Sequence, residues 1–194
     1  MQVGGTRLVR PAAEHLPGYA DALRRGFEPS TYAGPALAAA HLAAIEHDPA
    51  AFLAGLEDVE GRGAVTLPDG SEVPRLPGFT RWILDRGFCG VIHARWQTGS
   101  TGLPAHLLGH VGYLVVAWRR GEGQATRALG LLLPELAQLG LPWVELVTDP
   151  ANAASIRVIE ANGGTFLERF TKLPAHGGTE ALRFRIALGQ PGRG

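Results

Sequence analysis

The apolar and polar positions first alternate over Thr6–Val9, predicting a short strand that Arg10 and Pro11 close, because proline withholds a ladder donor. From Ala12 to about Phe27 the spacing turns helical. Leu16, Tyr19, Ala20 and Leu23 recur on one side, with Asp21, Arg24 and Arg25 on the other, which predicts an amphipathic helix. Residues 36–56 are rich in alanine, and Pro49 divides them into a helix ending near His47 and a second short one. The stretch from Gly61 to Gly78 carries Pro68, Asp69, Gly70, Pro74 and Pro77. It predicts a long connection without a regular ladder, mobile and on the substrate side.

Beyond it, Phe79–Leu84 and Phe88–Trp96 predict a hairpin turning at Asp85, Arg86 and Gly87. After a flexible Gln97–Pro104, His110–Trp118 predicts a strand that stops at Arg119, Arg120 and Gly121, where a leucine-rich helix begins. Pro134 predicts a bend near Gly130–Pro134, and Gly140 and Pro142 end this helix. A strand at Trp143–Val147 follows, then a helix at Asn152–Ala161 stopped by Asn162, Gly163 and Gly164. Two strands flank Lys172–Thr179. No internal repeat is present.

Composition narrows the class. A chain of 194 residues with 45% hydrophobic content fills one core without metals or disulfides. Lys and Arg balance Asp and Glu at 18 each, so no broad positive field exists for nucleic acid. Cys89 alone makes no internal bridge or thiolate zinc cage, and it is read as a buried inert thiol. No apolar run approaches the roughly 20 residues of a membrane span. The N-terminus lacks a signal-peptide core, so the expected location is the cytoplasm and no membrane partner is expected. His106 and His110 have the i, i+4 spacing of helical zinc ligands. Gly109 and the following strand argue against helical geometry there, so no metal is expected.

The chemistry gathers at Arg119–Thr126. Small residues there let backbone approach a ligand, and the residues that follow open a helix whose first amides have no partner of their own. A helix start carries roughly half a positive charge. Arg119 and Arg120 add two cations, so a diphosphate is the natural occupant. A nucleotide-triphosphate loop would end in Gly-Lys-Ser/Thr, and the dinucleotide fingerprint needs a third glycine where Thr126 stands. A plain tight turn at Gly121 and Gly123 is the competing reading.

Arg120-x-x-Gly123-x-Ala125 between strand and helix resembles the acyl-CoA signature of the GNAT acetyltransferase superfamily. About 30 residues on, Asn152-Ala-Ala-Ser155-Ile-Arg157-Val-Ile-Glu160-Ala-Asn162-Gly163-Gly164 resembles that superfamily's second motif. The match is strong from about His110 to Phe166 and weak before Phe79, and it is most similar to a bacterial group of acetyltransferases with a Gly-His-Val/Ile-Gly-Tyr strand. The resemblance implies an α/β (α+β) GNAT fold, with a mixed, mostly antiparallel sheet of six to seven strands, about four helices and splayed central strands. It also implies one domain over 1–194, divided into an acceptor side (6–105), an acetyl-CoA-binding core (106–166) and C-terminal strands (167–190).

By the same resemblance the protein is an N-acetyltransferase using acetyl-CoA as co-substrate and an amine of a small molecule or peptide as acceptor. Its coenzyme contacts would be Tyr113, Val115, Val116, Ala117, Arg120, Gly121, Gly123, Gln124, Ala125, Thr126, Asn152 and Ser155. The amide near Tyr113 would face the thioester oxygen, and Val115 and Ala117 would pair with the pantetheine arm. His110 stands where many relatives carry a catalytic carboxylate and is the first candidate base. Its competing reading is a neutral histidine bonded to backbone. Glu145 is the second catalytic candidate, Asp149 a further rival, and a rim carboxylate the plainer reading of Glu145. Trp118, beside the loop, is the tryptophan placed to touch coenzyme. Ile159 departs from the family, since many relatives hold a thiolate-protonating tyrosine there. Water, Ser155 or the released ammonium could serve instead, and a silent acyl-CoA sensor or a transferase of another acyl-CoA are the alternatives. The C-terminal strands offer an edge that a second copy could pair with as a homodimer, or that loops could shield.

Overall fold

The computed structural model describes residues 5–30, 34–66 and 70–189. The hairpin read from the sequence is the centre of the first sheet. Strand β5, numbered in chain order, spans Gly78–Leu84 and pairs antiparallel with β6 (Phe88–Arg95). Strand β6 pairs in turn with β7 (Val111–Val115). The outer edge of β5 takes β1 (Arg7–Val9) and the two-residue β2 (Glu57–Asp58). A second sheet runs in the order β8 (Trp143–Thr148), β10 (Glu180–Ala187) and β9 (Thr165–Thr171), antiparallel throughout.

The helices divide between the two faces of the first sheet because its strands alternate. Ile83, Ile92 and Val111 turn one way and join Leu129, Leu132 and Leu136 of α4 (Gln124–Gln138), together with Val144 and Leu146 of β8 and Ile159 of α5 (Ala153–Ala161). Trp82, Leu84 and Val91 turn the other way onto α1 (Leu16–Arg24) and α2 (Gly34–His47). The helical face predicted for α1 is the buried one: Leu16, Tyr19, Ala20 and Leu23 are all in the core. Pro49 starts α3 (Pro49–Ala54), whose first turn is capped by the Asp48 side chain accepting from the amides of Ala50 and Ala51 at 3.0 and 2.9 Å. A first-turn proline forfeits no helical bond.

The expected antiparallel α/β architecture is what the chain adopts. Ten strands rather than six to seven occur among the described residues, because β2, β3 and β4 are ribbons of two or three residues. Two local expectations change. Within Gly61–Gly78, β3 (Ala64–Thr66) and β4 (Glu72–Pro74) form a short antiparallel ladder, so that segment is not free of pairing, although 67–69 lie outside the described residues. The strand expected over His110–Trp118 stops at Val115, and Ala117–Arg119 tighten into a 3-10 turn. Helix α4 continues through Pro134, whose ring nitrogen withholds the bond to the Gly130 carbonyl at the place where the bend is expected.

Because Leu132 is fully buried between α4 and the sheets, Leu132→Ala should cost roughly 2–5 kcal/mol. Urea denaturation checks this.

Candidate functional site: parted strands and an amide cradle

Strands β7 and β8 are neighbours that share no ladder, and they touch at one end only. The His110 amide donates to the Glu145 carbonyl at 2.8 Å, and the Glu145 amide donates to His110 Nδ1 at 3.1 Å. Gly109 permits that approach, since a Cβ there would lie 2.9 Å from the Glu145 carbonyl oxygen. Two further bonds set the phase of β7. The Arg95 amide donates to the His110 carbonyl at 2.8 Å and the Val116 amide to the Cys89 carbonyl at 2.9 Å. Antiparallel residues bonded to one neighbour alternate with residues whose backbone groups point the other way. Gly112, Leu114 and Val116 therefore bond toward β6, while the amides of Val111, Tyr113 and Val115 face β8. On β8, the bond from the Leu188 amide to the Pro142 carbonyl at 2.9 Å sets the matching phase, turning the backbone of Glu145 and Val147 toward β7. Beyond the pin no backbone hydrogen bond joins the two strands among the described residues, and the Val115 carbonyl takes Arg120 instead.

The loop after β7 opens at the same end. The amides of Gly121, Glu122, Gly123, Gln124, Ala125 and Thr126 donate to no partner among the described residues, and the first intrahelical bond is that of Arg127 to the Gly123 carbonyl at 3.1 Å. Gly123, the N-cap, is left-handed at φ 74°, and no side chain caps the helix. Six successive amides with a helix dipole behind them form a seat for an anion.

Side chains brace this loop from behind. The Asp85 carboxylate, buried in the β5–β6 turn, accepts from Gln124 Nε2 at 2.9 Å and from Arg119 at 3.0 Å. Arg119 also bonds the Asp85 carbonyl and Glu122, both at 2.8 Å. The Gln124 bond, reinforced by Arg86 and Arg119, holds the Asp85 carboxyl below its ordinary range. Thr6 extends the brace, donating to Gln124 Oε1 at 2.7 Å and accepting from Arg127 Nε at 2.6 Å. Arg119 and the Gln124 side chain are thus structural, leaving the Gln124 amide for a ligand. Arg120 and Arg127 are the exposed cations at the rim. Arg120 Nε donates to the Val115 carbonyl at 3.1 Å, and the Arg127 guanidinium crosses Gly123 to the Glu122 carbonyl at 2.7 Å.

Helix α5 supplies the far wall. Its N-cap Asn152 accepts from the Ser155 amide at 3.0 Å, and Ser155 Oγ lies 2.8 Å from Tyr113 Oη, so a hydroxyl pair spans from β7 to α5. Burial raises the Tyr113 pKa. Ile159 faces the core, only 1% exposed. Val116 is fully buried with its amide bonded to Cys89, and Ala117 lies in the 3-10 turn. The Trp118 ring is covered by Arg25 at 3.7 Å.

His110 is buried. Burial lowers its pKa, with the Glu145 charge and a hydrogen bond to the Thr101 backbone opposing. Glu145 is buried too, which alone would raise its pKa. Hydrogen bonds from Arg185 at 2.7 Å and Arg183 at 2.9 Å outweigh that, and the carboxyl sits below its usual range. No cluster of metal-ligating side chains occurs among the described residues.

Comparison with known proteins decides the family. The model of the acetyltransferase (GNAT) domain matches residues 8–165. The chain belongs to the GNAT acetyltransferase family. Solved GNAT structures share its fold. RimL, a ribosomal L7/L12 alpha-N-protein acetyltransferase solved in complex with coenzyme A, aligns with TM-score 0.59 at 12% identity, covering 94% of each chain. The microcin C7 self-immunity acetyltransferase MccE, solved with acetyl-CoA and AMP, aligns with TM-score 0.55 at 11% identity, covering 94% of this chain and 92% of its own. At these identities the likeness is one of fold. No curated protein matches the chain.

Family membership makes this GNAT chain an acyltransferase. Sequence reasoning missed Asp85, Thr6, Arg127 and the half-buried His93 on β6. None of the four sits in a motif, and Thr6 and Asp85 reach the loop only through tertiary contact.

His93 and His110 both have folded pKa values below their ordinary one, His93 down to about 4. Depressed histidines give stability that is complete above about 6.5 and lost as pH falls below it. Urea midpoints should therefore drop between pH 7.5 and 5, and His110→Asn should flatten that slope.

Proposed function

We propose that this GNAT chain is an acetyl-CoA-dependent N-acetyltransferase that acts on an amine of a small molecule or peptide by direct transfer, within one unit whose acceptor side is residues 6–105. One observation carries the proposal: six consecutive amides that donate to no partner among the described residues, at the start of a 15-residue helix, open onto two strands pinned at one end. The amides of Gly121–Thr126 would hold the diphosphate, with Arg120 and Arg127 closing over it. The Val115 amide and the Val147 backbone groups would pair with the pantetheine arm in β fashion, the Val115 carbonyl being held by Arg120. Asn152 and Ser155 would border that arm from α5.

In the transfer, the amine nitrogen of RNH2 bonds to the thioester carbonyl carbon, the C–S bond breaks, coenzyme A leaves as thiolate, and the nitrogen sheds one proton to water. The Tyr113 amide faces the opening, where a donor to the developing oxyanion contributes a few kcal/mol. Position 159 holds a buried isoleucine without a proton to give, so the Tyr113–Ser155 hydroxyl pair would pass a proton to the thiolate and regain one from water. We assign His110 and Glu145 to the pin rather than to proton transfer. His110 Nδ1 already accepts from the Glu145 amide, and two arginines hold the Glu145 carboxylate. The exposed edge strand β9, with Phe166 and Leu167 at its surface, supports a homodimer formed along that edge.

A coenzyme-binding sensor without turnover is the second reading, and the buried Ile159 favours it. Turnover of acetyl-CoA with a panel of amines separates the two. Calorimetric titration of acetyl-CoA should show micromolar binding to the wild type and none to Gly123→Trp, whose side chain fills the cradle. Equal binding by both proteins would contradict the assigned seat.

A further inference from the structure

The face of the first sheet that meets α1 and α2 carries one polar row. Thr80, His93 and Gly112 lie opposite one another across β5, β6 and β7. They share the face of Trp82, Val91 and Leu114, each two residues along its own strand. The His93 ring leans over Gly112, and a Cβ at position 112 would overlap His93 Nε2. Glycine is therefore required there for the ring to reach the edge of β7. Gly112 precedes Tyr113, the residue whose amide faces the opening. His93 also lines a cavity of about 210 Å³ together with Leu56, Asp58, Arg75, Thr80 and Arg95.

We propose that His93 is the residue that receives the acceptor amine, its Nε2 lone pair taking a hydrogen bond from the amine N–H and aiming the nitrogen at the carbonyl carbon beside Tyr113. This rests on the acetyltransferase reading above and deepens it. Burial, with the Arg95 charge adding to it, keeps the ring neutral at physiological pH, so the lone pair is present. An amine reaches nucleophilic form only as RNH2, and a neutral acceptor in a half-buried site favours that form, whereas a free carboxylate would favour RNH3+. The one carboxylate in the lining, Asp58, is taken up by the amides of Glu60, Gly61 and Arg62. The size of the cavity suits one unbranched amino group entering between the segment after α3 and the segment after β4, which line it with β5 and β6.

The test compares the wild type with His93→Gln, His93→Phe and Gly112→Ala. Acetyl-CoA affinity is measured by calorimetry, folding by thermal melts, and kcat and KM against a panel of primary amines. The expected result is unchanged coenzyme affinity in all four proteins. The kcat/KM for amine should fall at least about 30-fold in His93→Phe, with partial retention in His93→Gln, whose carbonyl still accepts, and a loss in Gly112→Ala as the ring is displaced. A folded His93→Phe or Gly112→Ala with wild-type kcat/KM overturns this inference and leaves the coenzyme seat standing. A wild type that binds acetyl-CoA but acetylates no amine overturns both this inference and the transferase reading. A wild type that binds no acetyl-CoA overturns the seat itself.

Discussion

Two strands that do not pair are the constraint on which the site depends. Neighbouring strands close up whenever their backbone groups can meet, since unsatisfied buried amides and carbonyls are costly. Here β7 and β8 meet only where His110 and Glu145 exchange two bonds, one of them to an imidazole nitrogen inserted where a carbonyl would otherwise accept. That substitution, with Gly109 allowing close approach below it, ends the ladder after one step and leaves the outward groups of Tyr113 and Val147 and the Val115 amide for a ligand. Burying His110 costs proton affinity, which shows as its depressed pKa. The Arg183 and Arg185 bonds to Glu145 tie the β8 half of the pin into the second sheet.

The cradle depends on a similar economy of charge. The chain has no net charge to attract an anion from a distance. Arg119, the more buried of the two arginines beside the loop, is held by Asp85 and Glu122. Any pull on an anion at this loop therefore comes from short-range groups, namely its amides, the helix dipole and the rim cations Arg120 and Arg127. Such a seat selects by shape more than by field. Its rigidity comes from Asp85 and Thr6, two residues distant in sequence that hold Gln124 and Arg127 in place.

Much of this was legible in the sequence. The 3.6-residue spacing of Leu16, Tyr19, Ala20 and Leu23 gave α1, and the glycine-rich break after a strand gave the cradle, because local chemistry decides helix starts. What was not legible is tertiary. Whether Gln124 faces a ligand or Asp85 depends on the distant β5–β6 turn, and whether His110 is a base or a pin depends on what β8 brings against it. The β3–β4 ribbon formed despite Pro74 because proline tolerates an edge position. His93 carried no motif; only the register placing Gly112 opposite it reveals its reach.

Hydrogen–deuterium exchange on the protein with and without acetyl-CoA tests the central claim most directly. In the free protein the amides of Gly121–Thr126, Tyr113, Val115 and Val147 should exchange quickly. Added acetyl-CoA should slow this set, while Gly112 and Leu114, already bonded to β6, stay slow throughout. Protection that leaves 121–126 untouched, or β7 amides already slow in the free protein because β8 pairs with them, would contradict the account.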